Sequence, residues 1–118
     1  NNNKIESNKM QYYKEIHKIG GHEIPAYRVE NSNMGSPRWV VHFLDLLTQE
    51  DREKANDETR ALKEAHPDQW FCVTDTLYQK ALAKVREVGG RQYRAKWFGG
   101  GFVIQSHNLN QDLEQIFA

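Results

Sequence analysis

A chain of 118 residues, 38% of them hydrophobic, is the size of one globular unit, and no apolar run approaches the roughly 18 residues that a membrane helix requires. Sixteen Lys and Arg balance sixteen Asp and Glu, so no net field draws the chain to nucleic acid or an anionic membrane. The single cysteine, Cys72, excludes an internal disulfide, and with no basic start leading into an apolar run the expected location is the cytoplasm.

The opening NNNKIESNKM, residues 1–10, is polar and unpatterned and reads as a disordered lead before one domain spanning 11–118. Two runs flanking Gly20-Gly21 predict a hairpin with a two-residue turn, which sets Lys18 opposite Glu23; Pro25 suits an edge strand. NSNMGSP is a loop by composition. RWVVHFLDL after it is apolar on both faces, with Trp39, Val41 and Phe43 on one and Val40, His42 and Leu44 on the other, so it should be a central strand. Thr48 caps a mostly solvated helix that ends before Pro67, with Ala55, Thr59 and Leu62 on its thin apolar stripe.

QWFCV reads as a short strand or a buried connection, and Asp75 as the cap of the principal core helix. That helix carries Leu77, Tyr78, Ala81, Leu82, Val85 and Val88 and is closed by Gly89-Gly90. Asn108 or Asn110 can cap a last short helix bearing Leu113, Ile116 and Phe117. The sum is an α+β fold: a mainly antiparallel sheet of about five strands, two longer helices and a short C-terminal helix.

The run RQYRAKWFGGGFVIQSHN poses the functional question. Its glycines lead into a strand and no Walker lysine follows, so they are not a phosphate cradle. GGGFVIQ shares a Gly-Phe-Val core with the third strand of the RNA-recognition motif but lacks the exposed rings that stack on bases there. A turn at Gly99-Gly100 would pair Trp97 with Phe102 and Ala95 with Ile104, gathering the apolar residues on one face. The other face would display Gln92, Arg94, Lys96, Gln105 and His107.

Charge is unevenly spread. Asp45 to Asp68 holds eight acids and four bases, and Lys80 to Lys96 six bases and one acid, which predicts one acidic and one basic element. The candidate binding residues are therefore Arg91, Arg94, Lys96, Gln105 and His107. No catalytic set, metal site or cofactor motif is expected: on a strand His42 and Asp45 point to opposite faces, and Cys72 reads as buried and unactivated. The resulting expectation is a non-enzymatic domain acting through a protein partner. The alternative is a nucleic-acid module built on the basic 80–96 segment, and third comes a small enzyme using Cys72, His42 and His107.

Overall fold

The computed structural model describes residues 12–29, 37–95 and 98–118. The 1–10 lead, residues 31–36 of the expected loop, Lys96, Trp97 and the side chain of Arg94 lie outside that description. Strand β1 (Tyr12–Ile19) turns at Gly20-Gly21 into β2 (His22–Val29). Gly20 adopts φ +58°, a left-handed conformation that a side chain resists. Lys18 lies opposite Glu23 and His17 opposite Ile24, the pairs that a two-residue turn imposes.

Strand β3 (Arg38–His42) is central, as its two apolar faces require. With β4 (Arg91–Ala95) and β5 (Phe98–Gln105) it completes an antiparallel five-stranded sheet in the order β1-β2-β3-β5-β4. The strand is shorter than its sequence predicts. After His42 the chain makes a 3₁₀ turn over Phe43–Leu46, where His42 Nδ1 accepts a hydrogen bond from the Leu44 amide at 3.3 Å. Continued extension would send Phe43 and Leu46 to opposite faces; the turn places these residues, three apart, on one side, and both are buried.

Helix α1 (Gln49–Ala65) starts at a capping box, with the Asp51 amide donating to Thr48 Oγ1 at 3.1 Å and the Thr48 amide donating to the Asp51 carboxylate at 2.9 Å. Helix α2 (Val73–Glu87) closes on Gly89, at φ +78°. There the Gly90 amide donates to Val85 O and the Gly89 amide to Arg86 O, the paired bonds of a Schellman end. Asn108 caps α3 (Leu109–Ile116) by accepting from the Gln111 amide.

One sheet face, carrying Ile24, Ala26, Trp39, Val41, Phe102 and Ile104, joins Leu77, Ala81, Leu82 and Val85 of α2 and Leu113 and Ile116 of α3 in a single core. Helix α1 stacks outside α2, burying Ala55 and Thr59, and the Thr59 and Thr76 hydroxyls meet at 2.8 Å. The helices join the core through this face alone; Val40, fully buried on the opposite face, is flanked in register by Tyr27 and Val103 instead.

Two further elements differ from their sequence patterns. QWFCV is neither strand nor buried: Trp70 is 81% exposed, and α2 begins at Val73, so that Cys72 is its cap and Asp75 falls in its first turn. The three glycines are not the turn either. Ala95 pairs with Phe98 and Tyr93 with Gly101, so the chain reverses before Gly99 and the glycines lie within β5. Gln92, not Trp97, is opposite Phe102, and a bulge between Tyr93 and Ala95 breaks the alternation that the expected register extrapolated. The physical reason lies at Gly100. Its φ is +73°, and a Cβ there would stand 2.6 Å from the Phe43 ring, so the bare backbone is what lets the 3₁₀ turn settle against the sheet.

Candidate functional site

The displaced register rearranges the expected basic face. Gln92 turns to the core side with Phe102, while Arg91 sits opposite Val103 on the face away from the helices. Arg38 lies opposite Gln105 across the same β5 strand. Of the candidate residues, the structure thus brings Arg91 and Gln105 together around Val103 and adds Arg38, which sequence reasoning missed because it sat on a strand assigned to the core. These residues and Gly89 line a pocket of about 90 Å³. His107 does not take part: β5 ends at Gln105, and His107 is exposed in the connection to α3.

The acidic and basic elements largely answer each other. Lys84 reaches the Asp51 carboxylate at 2.7 Å and Lys80 reaches Glu58 at 3.0 Å, so α2 spends these two cations on α1. Burial would raise the Asp51 carboxyl, but hydrogen bonds from Lys84 and Thr48 hold it below the ordinary range. Lys84 also stands 5.4 Å from the Phe117 ring centroid, and His22 stacks on that ring with centroids 4.3 Å apart. His17 Nδ1 bonds Asn110 Oδ1 and its ring edge meets Trp39. These two histidines fasten α3 to the β1–β2 hairpin. Among the described residues no group of His, Cys, Asp or Glu is arranged to hold a metal ion.

A second concavity lies on the helical side. Asn56, Thr59, Arg60 and Lys63 of α1 face Trp70, Phe71, Cys72 and Val73 across an open groove of about 480 Å³. Cys72 is half-buried rather than buried. Its thiol is pulled below the ordinary value first by the Thr74 hydroxyl and then by the Thr74 amide, groups supplied by the first turn of α2. Neither His42 nor His107 lines this groove among the described residues. His42 and Asp45 share the 3₁₀ turn instead of opposite strand faces. Burial raises the Asp45 carboxyl against the pull of His42, Arg52 and Lys14.

The molecule is thus a small α+β protein with helices on one side of its sheet, a small arginine-lined pocket on the other, and an aromatic groove on the outer helical surface. The chain belongs to the family of the Staphylococcus phage terminal repeat-encoded protein TreK, whose family model matches residues 17–118. No curated protein and no solved structure shows significant similarity to it. Among the described residues no helix is long and apolar enough to cross a membrane.

Proposed function

We propose that the chain is a small non-enzymatic domain that acts by binding a protein partner. The observation that carries this reading is the exposure of Trp70 beside Phe71 over a groove of about 480 Å³. A solvent-facing indole on a connection that the core does not use leaves its apolar area uncompensated in the free chain, and buried Trp anchors are enriched among residues that dominate binding energy. The family's namesake is encoded in the terminal repeat of a Staphylococcus phage, so the partner is sought among the proteins of infected staphylococci. The nucleic-acid alternative has less support, since two of the cations it would recruit, Lys80 and Lys84, are held by carboxylates of α1.

The test uses the wild-type chain and the Trp70→Ala/Phe71→Ala variant as baits in lysate of infected staphylococci, followed by calorimetric titration of each captured protein after purification. The expected result is a partner whose affinity falls at least about tenfold in the variant, or about 1.4 kcal/mol. Capture of partners that bind both chains equally, or tight salt-sensitive binding of nucleic acid with no protein partner, would count against the reading.

A further inference from the structure

We propose that the pocket formed by Arg38, Arg91, Gln105, Val103 and Gly89 on the sheet face opposite the helices binds a phosphate group. Its construction follows from the register. Val103 forms the floor, Arg91 stands beside it on β4, and Arg38 and Gln105 face each other two residue pairs further along. Two arginines on the strands flanking β5 therefore line one pocket together with the Gln105 amide, and no carboxylate lines it among the described residues.

Three observations point to an anion. First, neither Arg38 nor Arg91 has an ion-pair partner among the described residues, so two like charges share the pocket uncompensated, which a bound anion would relieve. Second, Arg38 Nε is buried with no hydrogen-bond acceptor among the described residues; a buried donor left unmade is costly, and a ligand oxygen would satisfy it. Third, the volume of about 90 Å³ falls far below the roughly 300 Å³ at which ordinary small-molecule pockets begin, which suits a single small anion. Planar guanidinium forks bind phosphate oxygens in pairs, whereas a lysine would act only as a point charge. The pocket takes one phosphate, not a backbone tract. It lies on the sheet side, away from the Trp70 groove, and stands or falls independently of the partner reading.

The experiment is an NMR titration of the full chain, ¹⁵N-labelled, with inorganic phosphate, with adenosine monophosphate and with acetate, each against sodium chloride at equal ionic strength. The expected result is saturable shifts of the Arg38 and Arg91 Nε–H signals and the Gly89 and Val103 amides with phosphate, with acetate at least about tenfold weaker because it offers one oxygen pair to two forks. Arg91→Gln, an exposed change that leaves the core alone, should weaken phosphate at least about tenfold; Arg38→Gln should do the same if its amide spectrum remains folded. Tighter binding of the nucleotide than of phosphate assigns the phosphate to a nucleotide, and equal binding assigns it to the free anion. No saturation beyond the chloride control, acetate as tight as phosphate, or undiminished binding by Arg91→Gln would overturn the proposal.

Discussion

Gly100 and Gly20 both adopt positive φ, yet their surroundings differ, and that difference separates strain from packing. A Cβ at Gly20 would meet nothing within 4 Å, whereas one at Gly100 would strike the Phe43 ring. Gly20→Ala should therefore cost about 1–2 kcal/mol from backbone strain alone. Gly100→Ala should cost about 2–5 kcal/mol, because overpacking against Phe43 is added to the strain. Urea unfolding checks both through the midpoint at unchanged slope; equal losses at the two positions would contradict the packing of Phe43 on β5. Cys72 is the other residue whose setting matters. With its thiol pulled down by Thr74, thiolate is present at lower pH than in the unfolded chain. Iodoacetamide should thus react with the native protein along a pH profile displaced to lower pH, and Thr74→Val should move that profile back up. Such reactivity needs no histidine and is not by itself a sign of catalysis.

Elements were legible in proportion to how local their causes are. The Thr48 cap, the Gly20-Gly21 turn and the Gly89-Gly90 closure rest on chemistry within a few residues, and each formed where the sequence placed it. The β4–β5 hairpin rests on a distant cause, the ring of Phe43 demanding a bare backbone at Gly100, and alternation within the hairpin carries no trace of that contact. Arg38 was hidden for a different reason, its place on a strand whose apolar residues assign it to the core, whereas Arg91 and Gln105 were candidates from the start. The ion pairs between α1 and α2 allow a test of the element pairing itself. Asp51 has a lowered folded pKa, so its contribution is fully present above the ordinary carboxylate pKa of about 4 and is lost as pH falls through the lower folded value. Asp51→Ala should destabilise by about 1–2 kcal/mol at pH 7, through loss of the capping box and the Lys84 pair. The gap between variant and wild type should narrow below pH about 4, and thermal melts from pH 7 to pH 3 measure it. A gap that stays constant with pH would mean that the Asp51 charge does not tie the helices.

At the scale of the whole molecule, balanced charge and internal pairing leave little field to gather a polyanion. Mixed single-stranded DNA and RNA pools should show no binding at physiological salt in a filter or anisotropy assay; submicromolar, salt-sensitive binding abolished by Arg91→Glu would reverse the ranking of functions. The two candidate surfaces lie on different sides of the fold, with the proposed anion pocket on the sheet face opposite the helices and the aromatic groove outside the helices. A partner can therefore be followed by where it protects the chain. The most direct measurement is amide hydrogen exchange of the full chain with and without a protein captured by the wild-type bait and then purified. Slowed exchange is expected over residues 56–63 of α1 and 70–73 at the entry to α2, lost in the Trp70→Ala/Phe71→Ala variant, while the amides of β4 and β5 keep their free-chain rates. Protection confined to β4 and β5, or protection over the groove that persists in the variant, would contradict it.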